Sequence, residues 1–308
     1  MHRTVRRTLA ILLITSCVLP CVVYAQAGPD SKPLPSDGVI SQPGRYHLES
    51  DVVVDRDPGI RIEADHVTLD LRGHALRYTG VPQPGVFGIV SNNREDIHIT
   101  NGSLGGFWFG MHCTQNRGLR IDRIRFDDII YIAANVAPSR RVSIQDCQFT
   151  NFRYDIPKEK DTYVIGINIG AEDVMISGNT FTADYPGLDP QQVGMETVFV
   201  LFSANVSKRC VVALNEMSAN VVLPRSYGVW VASNAHIAAS YNNIRNMKYG
   251  ICLATDASAL AGFNRFVADP PPAGTEPIDS VGVSAVAADE VCLFSNVFDG
   301  LGTDTNLP

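Results

Sequence analysis

Residues 59–71 read GIRIEADHVTLDL and hold two short apolar–polar alternations, one from 60 to 62 and one from 67 to 71. Alternation with a period of two is typical of half-buried β-strands, whose side chains point to opposite faces in turn. The few residues between the two runs leave room for a tight corner and nothing more. The segment therefore predicts strand, corner and strand.

The same strand–corner–strand pattern recurs along the chain, so the repeat is the main structural signal in this sequence. Seven repeats carry a glycine, an inward apolar residue, an outward residue and a second inward one, and two further repeats, around Ile132 and Val200, fit without the glycine. We place the first inward residue of each repeat at nine positions, 21 to 35 residues apart: Ile60, Ile89, Met111, Ile132, Ile167, Val200, Val229, Ile251 and Val283. The shortest intervals define a coil of about 22 residues, which is a solenoid period.

A further regularity follows at the next corner, where an asparagine precedes an inward apolar residue by two positions. The asparagines are Asn179, Asn215, Asn242, Asn264 and Asn296. Stacked at one coil position, their amides can hydrogen-bond along the solenoid. We expect this ladder to be structural rather than catalytic.

These repeats predict an all-β chain, a right-handed parallel β-helix of about nine coils. A β-propeller is the competing architecture, but a blade needs about 40 residues and four strands. One coil here supplies two or three strands in about 22 residues. The β-helix is therefore favoured.

The opening of the repeats resembles that of bacterial right-handed parallel β-helix proteins of the pectate-lyase-like superfamily. The resemblance starts at Gly44-Arg45-Tyr46-His47-Leu48, continues through Gly59-Ile60-Arg61-Ile62, and includes the run from Asp65 to His74. It covers about residues 38–302. The superfamily contains lyases, glycosidases, epimerases, esterases and non-catalytic members, so the resemblance implies a fold rather than one activity.

The first 25 residues are predicted to be a signal peptide. Arg3, Arg6 and Arg7 precede an apolar run, and Val23-Tyr24-Ala25 offers a cleavage site. Cleavage at Cys17 as a lipoprotein is the alternative. We divide the rest into a linker at 26–37, the β-helix at 38–302 and a tail at 303–308, and expect a secreted or periplasmic protein with no transmembrane segment.

Charge and cysteine content exclude some function classes. Without residues 1–25 the chain keeps 22 of its 25 basic residues against 32 acidic ones, a net charge of −10, which disfavours nucleic acid as a ligand. Five cysteines remain and no zinc motif is present, so buried free thiols are expected, with a disulfide between coils as the alternative. No cofactor is evident; calcium is left open by the resemblance.

Longer intervals between repeats indicate insertions on one edge of the solenoid. They span 77–86, 151–164, 182–196, 220–227 and 267–280. Loops stacked on one edge would wall a groove beside the first sheet, and a long groove suits an extended polymer. In the family that this chain resembles, saccharide binds there. Polysaccharide is therefore the expected partner.

The outward positions of the first sheet, from Val90 onward, carry no acidic, lysine or arginine side chain in the predicted register. They are Val90, His112, Ala133, Asn168, Leu201, Trp230, Cys252 and Ser284, with Asn92, Thr114, Asn135, Gly170, Ser203, Ala232, Ala254 and Val286 two positions on. Members of the resembled family that cleave polygalacturonate use acidic clusters there. Their chemistry is therefore not expected on this sheet.

Charged candidates lie in two insertions instead. If the chain is an enzyme, we expect a lyase or epimerase acting on a uronate, with catalytic roles for His112, Tyr154, Lys158 and Lys160. Substrate binding is assigned to Arg153, Asn168, Tyr185 and Trp230. The non-functional alternatives are that the charged loops are merely solvated, that His112 is an ordinary surface histidine and that the indole of Trp230 is covered by a loop. A non-catalytic secreted or periplasmic scaffold or binding module is the alternative function.

Overall fold

The computed structural model describes residues 30–81, 83–152, 163–184, 196–203, 207–270, 280–286, 288, 290–301 and 303–306. Residues 31–308 form one compact unit. Every strand pairing described within it is parallel, and three sheets run along a right-handed β-helix. No helix occurs among the described residues. The predicted fold class is confirmed.

The first sheet has eleven strands. They are Val39–Ile40, Ile60–Ile62, Phe87–Asn92, Phe109–Thr114, the starts of Ile132–Gln145 and Tyr163–Ser177, Glu196–Phe202, Ser226–Val231, Tyr249–Leu253, Val281–Ala285 and Thr303–Asn306.

The second sheet follows it around each coil. It contains Lys32–Pro33, Gly44–His47, Val67–Asp70, the starts of Glu95–Gly105 and Arg117–Asp127, the ends of Ile132–Gln145 and Tyr163–Ser177, Lys208–Ala213, His236–Ser240, Ser258–Gly262 and Glu290–Phe294.

The third sheet completes the coil. It contains Val52–Val54, Ala75–Tyr78, the ends of Glu95–Gly105 and Arg117–Asp127, Gln148–Thr150, Thr180–Ala183, Glu216–Ala219, Asn243–Arg245, Arg265–Val267 and Val297–Asp299. Two paired strands lie outside the range 38–302 that the sequence analysis gives to the β-helix, one at 32–33 before it and one at 303–306 after it.

Strand register confirms eight of the nine inward anchors and corrects the fourth. Met111 pairs with Ala134, and Ala134 pairs with Ile167, so Ala134 rather than Ile132 is the anchor of that coil. The outward residue is accordingly Asn135, not Ala133. The prediction followed apolarity and chose the larger residue, whereas the interior accepts a small one here. Ile132 lies two residues upstream, on the outer face.

The asparagine ladder is present as predicted. The side-chain nitrogen of each asparagine donates to the amide oxygen of the next, over 3.0 Å from Asn179 to Asn215 and 2.9 Å from Asn215 to Asn242. The contacts continue at 2.9 Å to Asn264 and 3.1 Å to Asn296. Beside the ladder, the rings of Phe126, Phe149 and Phe181 stack inside the solenoid, with centroids 4.8 and 4.4 Å apart. Satisfied amides and stacked rings thus repeat coil by coil.

The recurring glycine at the start of the first sheet makes room for this stack. A Cβ atom built on Gly166 would lie 2.6 Å from the carbonyl oxygen of Phe199 and 2.9 Å from the ring of Phe181. Both distances are shorter than carbon atoms tolerate, so a side chain at Gly166 would displace backbone or ring. The glycines of the repeat are therefore required by packing.

Candidate functional site

Four side chains form a continuous hydrogen-bonded chain on the outer face of the first sheet; we call it the polar relay. Ser203 Oγ donates to Asn168 Oδ1 over 2.9 Å, and Asn168 Nδ2 donates to Asn135 Oδ1 over 2.8 Å. Asn135 Nδ2 then lies 2.9 Å from His112 Nδ1. The relay runs across four consecutive coils because these residues occupy neighbouring outward positions.

The relay sets the protonation state of His112. Since Asn135 Nδ2 donates to Nδ1, this ring nitrogen accepts, and the neutral ring carries its proton on Nε2. The ring lies against Phe87 and Phe109, at centroid distances of 4.9 and 5.9 Å. Burial lowers the pKa of His112 below its usual value. At neutral pH His112 is therefore an uncharged donor through Nε2.

An outer apolar row lies beside the relay, one residue upstream of the repeat glycine or, in two coils, of Ala133 and Phe199 at the same position. It consists of Phe87, Phe109, Ile132, Ile165, Val198, Tyr227, Tyr249 and Val281. Ile132, Ile165 and Val198 are buried in a cluster separate from the solenoid core. Between Phe87 and Phe109, and between Tyr227 and Tyr249, the rings stack. The first sheet thus presents an apolar row next to a polar one.

Trp230 packs against this apolar row. It occupies the same outward column as the relay, beside Leu201, and stacks on Tyr227 with ring centroids 4.9 Å apart and planes 24° apart. The indole is partly buried. Four coils separate it from His112, or about 19 Å at the usual strand spacing. The candidate site is therefore long.

The five insertions have their ends on one edge of the solenoid, since each connects a third-sheet strand to the next first-sheet strand. Arg153, Tyr154, Lys158, Lys160 and Tyr185, named as site residues from the sequence, lie outside the described residues. Their roles remain predictions. His112 and Asn168 lie within one relay and Trp230 farther along the same column.

Charge is scarce along the relay column. Arg61 precedes Val90 in it, one coil before the predicted list begins, and pairs with Glu63 at 3.9 Å. Among the residues that the structure describes, no group of three or more histidine, cysteine, aspartate or glutamate side chains is placed to hold a metal ion. Calcium binding remains a prediction.

A charged cluster lies elsewhere, on the outer face of the second sheet. Asp122 is only 1% exposed and bonds His98, Thr100, Arg120 and Arg123. Burial by itself would raise its pKa, but the hydrogen bonds from His98 and Thr100 and the charges of His98 and Arg123 lower the pKa of Asp122 to about 2. A carboxylate so fully partnered indicates a structural role for this cluster.

The cysteines have the expected free thiols. Cys113, Cys147 and Cys210 are buried, and burial raises the pKa of Cys113 to about 12. Cys252 is partly buried and Cys292 is exposed. The buried thiols are thus poor nucleophiles.

Asn135, Ser203 and the aromatic members of the outer row were not assigned to a site from the sequence. Asn135 and Ser203 stood among the predicted outward residues, but their hydrogen bonds depend on register. The aromatic signal was readable: Phe87, Phe109, Tyr227 and Tyr249 each directly precede the repeat glycine. An aromatic–glycine pair recurring at one coil position indicates a line of rings.

Together these features define a parallel β-helix protein with an elongated, largely uncharged outer face. The parallel β-helix fold that the resemblance implied is confirmed by the coil-to-coil strand register. No family model matches the chain, and no curated protein matches it.

Solved structures similar to this chain include an alginate lyase from Paenibacillus sp. strain FPU-7, with a TM-score of 0.43, 12% identity, and coverage of 85% of this chain and 99% of that one. PfbA, a surface adhesin of Streptococcus pneumoniae, has a TM-score of 0.47, 12% identity, and coverage of 85% and 82%. The A-module of a mannuronan C-5 epimerase from Azotobacter vinelandii has a TM-score of 0.32, 13% identity, and coverage of 87% and 88%. At these identities and scores the likeness says nothing about activity, and the fold assignment rests on strand register.

The described part of the chain contains no helix with the length and apolarity needed to cross a membrane.

Proposed function

We propose that this chain is an exported protein that binds an extended polysaccharide along the outer face of its first sheet. The observation that carries the proposal is the polar relay from His112 to Ser203 lying beside the outer apolar row. A sugar ring has hydroxyl groups around its edge and C–H groups on its faces. The amides, the hydroxyl and the neutral imidazole of the relay can hydrogen-bond the sugar hydroxyl groups, and the aromatic rings of the apolar row can pack against the C–H faces.

The length of the site favours a polymer over a small molecule. His112 and Trp230 are about 19 Å apart along the solenoid, and the side chains between them are Asn135, Asn168 and Leu201. Ligands that bind in enclosed pockets bury most of their surface, whereas a face along the solenoid contacts successive units of a chain.

Catalysis on a uronate is the more specific form of the proposal. It requires charge, and the relay supplies none, so Lys158 or Lys160 would neutralise the carboxylate or take the proton, with Tyr154 or His112 exchanging protons and Arg153 and Tyr185 binding. The uncharged relay favours the alternative, a non-catalytic binding module. A secreted or periplasmic location accompanies either form, because environmental and cell-surface polysaccharides lie outside the cytoplasm.

The test uses the chain from Gln26 with a panel of uronate-containing and neutral polysaccharides, with and without calcium. Binding is followed by calorimetry, and chemistry by ultraviolet absorbance and reducing ends. Asn168→Ala and Trp230→Ala should each weaken binding about tenfold, the loss of roughly one hydrogen bond or ring contact. Ser143→Ala, on the second sheet, is the matched control and should bind normally.

The outcomes distinguish a lyase, a binding module and a protein that does not bind polysaccharide. New ultraviolet-absorbing ends would support a lyase, and binding without product would support a binding module. If no polysaccharide in the panel binds, or if Asn168→Ala and Trp230→Ala bind as tightly as the parent chain, the proposal is wrong.

A further inference from the structure

The outer face of the second sheet changes character along the solenoid. In its last five coils, three neighbouring columns are mainly apolar, and we call them the apolar strip. They contain Met175, Val211, Ala238, Leu260 and Cys292; then Ser177, Ala213, Ser240, Gly262 and Phe294; then, at the following corner, Gly178, Leu214, Tyr241, Phe263 and Ser295.

Large apolar side chains in this strip are exposed. Leu214 is 64% exposed, Tyr241 56%, and Leu260 and Phe263 47% each. The rings of Tyr241 and Phe263 stack with centroids 5.0 Å apart, and the ring of Phe294 meets Phe263 edge-on. Contiguous exposed apolar surface of this kind marks interaction sites on soluble proteins.

In the earlier coils the same columns are polar or charged. The first column there reads Thr68, His98, Arg120 and Ser143; the second reads Asp70, Thr100, Asp122 and Gln145; and the corner reads Asn101, Arg123 and Asp146. The scaffold is the same, so a β-helix surface does not by itself require apolar residues at these positions.

Backbone conformation makes the apolar choice costly at the corner. Leu214, Tyr241 and Phe263 have φ of 58°, 56° and 56°, in the left-handed region. Bulky side chains are disfavoured there, whereas asparagine, aspartate and glycine are tolerated. Asn101, Arg123 and Asp146 occupy the same corner in earlier coils, and Gly178 occupies it in the first coil of the strip, so none of these positions holds a large apolar residue. The large side chains are therefore retained against local preference, without the compensation of full burial.

Polar columns border the strip on both sides. On one side lie Glu172, Lys208, His236, Ser258 and Glu290, and on the other Thr180, Glu216, Asn243 and Arg265, followed in the last coil by the exposed Val297. A desolvated apolar centre with a polar rim is the usual anatomy of a protein–protein interface.

We propose that the apolar strip is the interface with a second copy of this chain, with the two solenoids packed face to face and antiparallel. A two-fold axis between the coils of Ala238 and Leu260 would place Leu260 against the small Ala238 of the second copy. It would also place Tyr241 against Phe263 of the second copy. The strip is thus complementary to itself, as an isologous interface requires.

Charge and area agree with this arrangement. The same axis brings Lys208 opposite Glu290 of the second copy, which pairs opposite charges on the rim. The exposed fractions of six large apolar residues of the strip correspond to on the order of 500–800 Å² per copy; they are Met175, Leu214, Tyr241, Leu260, Phe263 and Phe294. A stable interface of standard size buries about 800 Å² on each partner.

Sedimentation equilibrium of the chain from Gln26 is the primary test, and it should show a dimer with micromolar dissociation. Phe263→Asn and Leu260→Glu should each weaken association at least tenfold. Phe263→Asn suits the left-handed backbone, so a folding defect is not expected, and circular dichroism with thermal unfolding at low concentration checks this. Ser143→Glu, in the column of Leu260 but in a polar coil, should leave association unchanged.

Orientation is tested by charge reversal. Lys208→Glu should weaken the dimer, and Lys208→Glu with Glu290→Lys should restore it. The exposed Cys292 should react more slowly with a maleimide as the protein concentration rises. The proposal is overturned if the chain stays monomeric at about 100 μM, or if Phe263→Asn and Leu260→Glu leave the dimer dissociation constant unchanged. If the double charge reversal does not restore the dimer, the antiparallel arrangement is wrong.

Discussion

The side-chain nitrogen of Asn135 donates to Nδ1 of His112 across 2.9 Å, from the next coil of the solenoid. This contact couples a titratable ring to two further side chains, since Asn168 and Ser203 hold Asn135 in its orientation. A protonated His112 would have a hydrogen on Nδ1 and could no longer accept there. The relay therefore favours the neutral ring.

Asn135→Asp should raise the pKa of His112 relative to the parent chain, because a carboxylate in place of the amide stabilises the imidazolium cation. Titration of the His112 ring by NMR measures it, and Ser143→Asp, which adds the same charge on the second sheet, is the control. An unchanged pKa in Asn135→Asp would show that the two side chains are not in contact.

Stability should fall as the pH falls through the titration of His112. The folded-state pKa of His112 lies below the unfolded value of about 6.5. As the pH falls, His112 is therefore protonated first in the unfolded chain, and the free energy of unfolding decreases between the unfolded and the folded pKa. His112→Gln should remove this part of the pH dependence, as measured by urea unfolding between pH 7 and 5. If the parent and the variant lose stability equally, His112 is not responsible.

Asn242→Ala should cost about 3–5 kcal/mol of unfolding free energy. Asn242 donates to the carbonyl oxygen of Val212 and to Asn264, and accepts from both the backbone and side-chain nitrogens of Asn215. Removing the amide leaves several buried polar groups without partners. Denaturant unfolding measures the loss; Asn92→Ala, at an exposed position, should change stability by less than about 0.5 kcal/mol. A small loss in Asn242→Ala would contradict a cooperative ladder.

Asp122 should stabilise the fold down to unusually low pH. Its pKa is about 2 against an ordinary value of 3.8, so its contribution to stability is complete above the unfolded pKa and disappears as the pH falls from 4 towards 2. The shift corresponds to about 2 kcal/mol. Asp122→Asn should remove this acid-dependent step and destabilise the chain at pH 7. Identical acid unfolding curves for the two chains would argue against the network.

Gly166→Ala should destabilise the chain by about 1–3 kcal/mol, because the new methyl group overlaps the Phe199 carbonyl oxygen and the Phe181 ring. Thermal unfolding provides the measurement. Ala133→Gly is the matched reverse change at the same coil position and should cost only about 1 kcal/mol or less. Comparable stability of Gly166→Ala and the parent would show that the aromatic stack adjusts freely.

Local sequence patterns were sufficient to predict the features that repeat at the same position of each coil. Alternation at 60–62 and 67–71 predicts strands, and asparagines recurring at one corner predict a ladder. The pattern misled at Ile132, since apolarity alone cannot distinguish an interior anchor from an outward residue covered on the outer face. Ala134 has the weaker hydrophobic signal and the interior position.

The sequence by itself determined the repeat, a coil of two or three strands and eight of the nine inward anchors, because these depend on spacing within about 22 residues. Tertiary structure decided which outward residues meet. His112, Asn135, Asn168 and Ser203 are 23 to 35 residues apart in sequence from one relay partner to the next, and only the stacking register brings them within hydrogen-bonding distance. The same register gathers the exposed residues of the apolar strip, since side chains one coil apart become neighbours about 4.8 Å away.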